Sequence, residues 1–136
     1  MAEKRVVRTE AAPAPFQGAP YSQAIVAGGF VFVSGQVGMR PAETQVVGDT
    51  VEEQTEQTFA NLRAILQAAD SSLDRIVKTT VYLTTLDDFA AMNEVYRRHA
   101  GSTPPARATV AVGLPAGCLV EIDAVALAGW TSDGGR

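Results

Sequence analysis

The fold is decided by residues 76–112, which read IVKTTVYLTTLDDFAAMNEVYRRHAGSTPPARATVAV. The first eight of them are rich in β-branched and aromatic side chains, which favours a strand in the interior of a sheet. A helix is predicted next, with Asp87 or Asp88 as its N-cap and Gly101 as its C-terminal stop. Two prolines then break the helix, and an apolar strand is predicted over residues 106–112. The stretch therefore predicts a strand, a helix and a second strand.

Upstream of this stretch the sequence predicts a hairpin and a longer helix. Two apolar runs, residues 24–27 and 30–34, flank a pair of glycines that can adopt the positive φ angles of a tight turn. Apolar positions recur at helical spacing over residues 48–69, and Thr50 and Glu53 have the spacing of a capping box. A β-hairpin followed by the main amphipathic helix is the expected arrangement.

Downstream, a second hairpin is predicted from the apolar runs 106–112 and 119–127, which flank a segment rich in glycine and proline. Val6 and Val7 are a candidate extra edge strand. Residues 9–20 contain three prolines and a glycine, which predicts an ordered loop or a flexible arm. The polar tail, residues 131–136, is predicted to be flexible.

The order of these elements predicts a two-layer α+β domain over residues 1–130, with a mixed β-sheet and two helices on one face. A chain of 136 residues supports one hydrophobic core rather than two, so a single domain is expected. No part of the chain is left to cover the second face of the sheet. Self-association is the expected way to cover it.

Composition excludes several classes of function. The net charge of −4 and the scattered Lys and Arg residues argue against nucleic acid as a partner. No apolar run reaches the roughly 20 residues that cross a bilayer, and no secretory signal is recognisable, so a cytoplasmic protein with no membrane partner is expected. Cys118 is the single cysteine and His99 the single histidine. They cannot supply a disulfide or a zinc ligand set, and a Ser/His/Asp triad is not expected, because the one histidine lies at the end of a predicted helix.

Arg107 is the strongest functional signal, because it interrupts an apolar stretch directly after the two prolines. Strand alternation places it on one face with Thr109 and Ala111. Its planar guanidinium stays charged and suits bidentate binding of a carboxylate. The alternative is an edge-strand arginine whose head is solvated or paired with a carboxylate of the protein.

Glu121 is the second candidate, because its apolar neighbours predict that it is at least partly buried. In the predicted second hairpin it lies across from residues 109–111, roughly 7 to 14 Å along the strands from Arg107. That separation is about the span of a small substrate. Burial tends to raise the pKa of a carboxyl group, which suits proton exchange with water. The alternative is a structural salt bridge between Glu121 and Arg107.

Four further residues carry weaker signals. Ser34 and Gly35 end a predicted strand, where a glycine lets a ligand approach the backbone and a hydroxyl can donate or accept a hydrogen bond. Tyr21 follows a proline and can place its ring beside a ligand, or simply pack. Asn93 lies among the apolar positions of the second helix, so its amide needs partners if it is buried, either a ligand or an ordinary tertiary hydrogen bond.

The chain resembles the Rid family, the reactive intermediate deaminases that are also called the YjgF family. The resemblance runs over nearly the full length and rests on six short motifs in the family's order. They are APYSQA (19–24), VSGQ (33–36), IVKTTVY (76–82), FAAMN (89–93), PAR (105–107) and VEIDAVA (120–126).

The resemblance implies a chorismate-mutase-like fold that assembles as a homotrimer with clefts between subunits. It implies that a residue matching Arg107 grips the carboxylate of a 2-imino acid or its enamine, and that one matching Glu121 positions or activates water near Gly35. Water then replaces ammonia to give a 2-oxo acid, without a metal or an organic cofactor. The residues implied to bind substrate beside these three are Tyr21, Ser34, Asn93 and Thr109.

Thr109 departs from the family pattern, because many members carry a cysteine at the matching position. The imine mechanism does not require that thiol, so an enamine/imine deaminase remains the leading hypothesis. The alternative is a non-catalytic protein that binds small carboxylates or regulates a partner on the same trimeric scaffold. A ribonuclease activity, attributed to some relatives, would need a more basic surface. A chorismate mutase would need more cations than Arg107 alone.

Overall fold

One mixed six-stranded sheet carries two helices on one face in residues 3–129, the part of the chain that the computed structural model describes. The helices are α1 (Val51–Ala68) and α2 (Phe89–Ala100). The strands are β1 (Arg5–Val7), β2 (Ala24–Ala27), β3 (Phe30–Val37), β4 (Ile76–Leu83), β5 (Ala106–Ala111) and β6 (Val120–Leu127). The predicted α+β fold is confirmed, including the extra edge strand β1. The predicted tail, residues 131–136, lies outside the described residues.

Both helices begin and end where the sequence predicts. The Thr50 hydroxyl accepts a hydrogen bond from the Glu53 amide and donates one to the Glu53 carboxylate, so the capping residues satisfy the first turn of α1. Helix α2 ends at Gly101, whose φ of +74° is a conformation that favours glycine. Helix α1 faces the sheet with apolar side chains that are almost fully buried: Phe59, Leu62, Ile65 and Leu66.

The order of strands is β1-β2-β3-β6-β4-β5, which confirms the first hairpin but not the second. Strand β4 lies between β5 and β6, pairing parallel with β5 and antiparallel with β6. The prediction of a hairpin over residues 106–127 is therefore wrong. The strand–helix–strand unit β4-α2-β5 requires parallel pairing of its strands, and the loop after β5 carries the chain across β4 to the gap beside β3. A segment rich in glycine and proline is equally typical of a hairpin turn and of a loop that crosses a neighbouring strand. Its composition therefore could not distinguish the two topologies.

Alternation along the strands separates a buried face from an exposed one. The residues of β6 that face the helices are fully buried, whereas those between them are partly exposed. We call the side of the sheet away from the helices the open face. It exposes large apolar side chains from four strands: Val6, Phe30, Phe32, Val110 and Leu127. The uncovered face that the sequence predicts is thus present in the chain.

Residues 9–20 form an ordered loop, the first of the two alternatives. The Gln23 side chain is buried and serves as the anchor of this loop. Its amide nitrogen donates to the carbonyls of Thr9, Ala12 and Pro13 at 2.8 to 3.2 Å, and its oxygen accepts from the Thr9 amide at 2.8 Å. One buried amide therefore satisfies loop backbone that would otherwise lack partners. Nothing in the sequence pattern singled out Gln23.

No helix in the described part of the chain is both long and apolar enough to span a bilayer. Within residues 3–129 there is also no group of three or more His, Cys, Asp and Glu side chains placed to hold a metal ion. The cytoplasmic location stays a prediction from the sequence.

Candidate functional site

All but one of the predicted site residues line two separate cavities. A cavity of about 350 Å³, which we call the Glu121 cavity, contains three other predicted residues, Tyr21, Ser34 and Gly35. A second, of about 240 Å³, which we call the Arg107 cavity, contains Asn93. A larger cavity of about 540 Å³ lies beneath the 9–20 loop and shares only Tyr21 with the predicted set. The Glu121 cavity and the Arg107 cavity contain the carboxylate and the guanidinium that the sequence singled out.

Glu121 lies on β6 at the open face, directly beside Gly35. The pairing of β3 with β6 is irregular between Val33 and Gln36, and this irregularity brings the Gly35 backbone against the Glu121 side chain. A Cβ atom at Gly35 would lie 2.8 Å from the Glu121 carboxyl carbon. Only glycine leaves this space free. The Glu121 carboxylate makes no hydrogen bond or salt bridge with any described residue, so the structural pairing with Arg107 does not form within the chain.

Burial is the main cause of a raised pKa at Glu121, and the negative charge of Asp123 raises it further. A carboxyl group with a raised pKa is a better proton acceptor than an ordinary glutamate once it is ionised. Cys118 lines the same cavity and is buried; burial, followed by the charge of Glu121, raises the pKa of its thiol. This thiol is therefore poorly suited to act as a nucleophile. Sequence reasoning placed Cys118 in a hairpin turn and missed that it lines the cavity.

Hydrogen bonds fix the positions of the two polar side chains at the rim of the Glu121 cavity. The Ser34 hydroxyl donates to the Ser22 carbonyl at 2.5 Å, so it faces the cavity as an acceptor. The Tyr21 hydroxyl accepts from the Phe16 amide at 2.6 Å, which holds its half-exposed ring beside the opening. Both residues are thus available to a ligand in this cavity.

Arg107 lies on β5 with its guanidinium above aromatic rings of α2. The guanidinium carbon is 4.7 Å from the Tyr96 ring centre and 5.5 Å from that of Phe89. A hydrogen bond of 2.7 Å between Thr79 and the Tyr96 hydroxyl fixes the nearer ring. Arg107 makes no ion pair or hydrogen bond with the described residues, so its fork is free to bind an anion.

Asn93 supports the Arg107 cavity as a ligand site. Its side-chain oxygen is buried and has no hydrogen-bond partner in the described part of the chain. A buried acceptor without a partner is costly, and a donor from a ligand or water would satisfy it. The ordinary tertiary hydrogen bond that sequence reasoning allowed for this oxygen is absent from residues 3–129.

Arg107 and Glu121 lie on opposite faces of the sheet. Arg107 pairs in register with buried Thr79, and its side chain lies on the helix side. Glu121 pairs with Tyr82 on the open face. The predicted separation along a shared hairpin is therefore wrong, because β4 lies between the two strands. Thr109 shares the face of Arg107 and lines neither of the two cavities.

Gly35→Ala is expected to impair any chemistry that needs Glu121 while leaving the fold intact. The new methyl group meets the flexible end of the Glu121 side chain, which must rotate away. A displacement of about 1 Å can cost roughly 10² in rate. Turnover and thermal unfolding of the variant test this, with Gly113→Ala as a control because a Cβ there meets nothing. Equal activity in Gly35→Ala and the wild type would contradict the expectation.

Comparisons with known proteins assign the chain to a family. A sequence model of the family described as Endoribonuclease L-PSP matches residues 9–128. A RutC family protein of Pyrococcus horikoshii is 47% identical over 124 residues, covering 90% of this chain and 97% of that protein. The human 2-iminobutanoate/2-iminopropanoate deaminase is 41% identical over 127 residues, covering 93% and 91%. The crystal structure of E. coli TdcF with bound serine superposes with a TM-score of 0.83 at 36% identity, covering 90% and 98%.

Proposed function

Because the chain belongs to the Endoribonuclease L-PSP family, also called the YjgF or Rid family, we propose that it is an enamine/imine deaminase. The substrate is a reactive 2-imino acid such as 2-iminopropionate, and the products are a 2-oxo acid and ammonia. The observation that carries this proposal is the Arg107 guanidinium, which is held on two aromatic rings without an anionic partner among the described residues. A 2-imino acid supplies the missing carboxylate.

Arg107 binds the substrate carboxylate through two parallel N–H···O hydrogen bonds. Glu121 accepts a hydrogen bond from a water molecule and takes its proton as the oxygen adds to the imine carbon. The C–O bond forms while the C=N π electrons move to nitrogen, which is protonated. The nitrogen of the resulting carbinolamine takes a second proton and leaves as ammonia, and the hydroxyl gives up a proton in exchange, which leaves the carbonyl. Imine and water thus give 2-oxo acid and ammonia, with no redox change.

The proposed site is shared between copies of the chain. Arg107 and Glu121 lie on opposite faces of one sheet, so a single chain cannot bring them together around a small substrate. Association through the apolar open face would bring the Glu121 cavity of one copy against an edge of another, and β5 with Arg107 is such an edge. We therefore propose a homotrimer with its sites at the subunit interfaces.

The proposal is tested by generating 2-iminopropionate in situ from alanine with an amino-acid oxidase and following its loss. The protein is expected to accelerate the loss, whereas an equal amount of heat-unfolded protein is not. No acceleration by the folded protein would overturn the proposal. In that case, calorimetry with 2-oxo acids distinguishes a non-catalytic carboxylate-binding protein. The TdcF structure with bound serine supports that alternative, because serine carries a carboxylate.

A further inference from the structure

A second acidic residue lies beside Glu121 and is not used by the proposed reaction. Asp123 follows two residues later on β6, so its side chain is on the same open face. The Tyr82 hydroxyl donates a hydrogen bond of 2.9 Å to an Asp123 carboxylate oxygen. Tyr82 is also the β4 residue in register with Glu121. One side chain of β4 is therefore adjacent to both acids.

We propose that Asp123, held in place by Tyr82, is a positioning residue whose negative charge makes Glu121 a stronger proton acceptor. This proposal rests on the proposed role of Glu121 in activating water. In this proposal Asp123 makes no contact with the substrate. It acts only through the carboxyl group of Glu121.

The positions of the two acids favour an electrostatic effect of Asp123 on the ionisation of Glu121. Residues two apart on a strand are separated by roughly 7 Å, a distance at which like charges still interact when partly buried. An ionised Asp123 opposes ionisation of Glu121, in the same direction as the burial of Glu121 itself. The two effects together place the pKa of Glu121 above its ordinary value.

Within the same chain, the other ionisable groups that face Glu121 do not supply a competing charge. They are the Tyr82 phenol on β4, the Cys118 thiol in the loop before β6, and the Tyr21 phenol at the cavity rim. Phenols and thiols are ordinarily uncharged at neutral pH. Strand β3, which packs on the other side, contributes no ionisable side chain. Among the described groups of the same chain that line the Glu121 cavity or adjoin Glu121 in the sheet, Asp123 carries the one formal charge. Lys78 of β4 lies further along the open face, where its ammonium donates a hydrogen bond to Thr80, the residue paired with Asp123.

The hydrogen bond to Asp123 keeps the Tyr82 phenol protonated. The hydrogen bond to Asp123 is the main cause of a raised pKa at Tyr82, with burial and the Asp123 charge adding to it. The phenol therefore keeps its proton and remains a donor at working pH. This donor fixes the Asp123 carboxylate at one position on the open face, which gives Glu121 a constant electrostatic environment.

The test is a carbon-13 NMR titration of the Glu121 carboxyl in the full-length protein, assigned by the resonance that Glu121→Gln removes. In Asp123→Asn the midpoint is expected to move to lower pH, because the isosteric amide keeps an acceptor for Tyr82 but carries no charge. Asp123→Glu restores the charge and is expected to return the midpoint toward the wild-type value. Glu52→Gln, which removes an exposed acid from α1, is expected to leave it unchanged.

The pH profile of imine turnover gives a second readout. The limb that Glu121 controls is expected to move to lower pH in Asp123→Asn by the same amount as the NMR midpoint. An unchanged or higher midpoint in this variant overturns the proposal. Since the titration needs no substrate, a shifted midpoint in a protein without deaminase activity would reject the proposed function but not the coupling between the two acids.

Discussion

Arg107→Ala is expected to lower kcat/KM for a 2-imino acid by about 10² to 10⁴. A hydrogen bond to a charged group contributes about 1.5–3 kcal/mol, so loss of two of them removes about 3–6 kcal/mol, and each 1.4 kcal/mol is tenfold in binding. The carboxylate is bound in both the ground state and the transition state. Much of the loss should therefore appear as a higher KM rather than a lower kcat.

Initial rates over a range of imine concentrations measure this effect, and two variants serve as controls. Arg107→Lys keeps the charge without the planar fork, so it is expected to recover only part of the activity. Arg98→Ala removes an equal charge from α2, where Arg98 is exposed and pairs with Glu56, and is expected to behave as the wild type. Thermal unfolding checks that Arg107→Ala is folded. Wild-type kinetics in that variant would refute the carboxylate clamp.

Local patterns in the sequence predicted the secondary structure well, because each element has its own chemical signature. The glycines at 28 and 29 adopt positive φ angles of +59° and +85°, and the hairpin forms around them. The cap at Thr50 and the stop at Gly101 bound their helices as predicted. Alternation likewise placed Arg107 and Thr109 on one face of β5. These features depend only on neighbours in sequence.

The order of strands could not be predicted in the same way, because it depends on contacts between distant segments. Strands β5 and β6 are close in sequence but separated by β4, and the registers in which they pair with β4 put Arg107 and Glu121 on opposite faces. Arg107 and Glu121 could both be identified as candidates from the sequence, because each is a charged residue within an apolar strand. The sequence could not show that one chain keeps them apart, nor that Cys118 lines the Glu121 cavity, since both depend on the path of the loop before β6.

Glu121→Gln is expected to lower kcat by roughly 10² to 10⁴, the usual contribution of a general acid or base. Gln has nearly the same shape and can still hydrogen-bond water, but it cannot take a proton at working pH. The variant is also expected to lose the limb of the pH profile that reports Glu121. Single-turnover measurements of imine loss from pH 5 to 9 test both points. A pH profile identical to that of the wild type would exclude Glu121 as the base.

The same substitution should not destabilise the fold at neutral pH. Because the folded-state pKa of Glu121 is raised, folding favours its protonated form, and the stability it contributes at acid pH is lost as the pH rises through that pKa. Gln cannot ionise and keeps this contribution. Equal or higher stability together with lost turnover separates a catalytic effect from unfolding. A marked drop in the unfolding midpoint would contradict this expectation.

Mixing the two inactive variants tests whether the site is shared between chains. In a mixed oligomer, an Arg107→Ala subunit supplies an intact Glu121 and a Glu121→Gln subunit supplies an intact Arg107. Interfaces that join these two intact residues are expected to regain turnover after subunit exchange. If one chain held the whole site, every site would lack one residue and no activity would return. The opposite placement of Arg107 and Glu121 on the sheet predicts recovery, and mixtures of either variant with itself are the control.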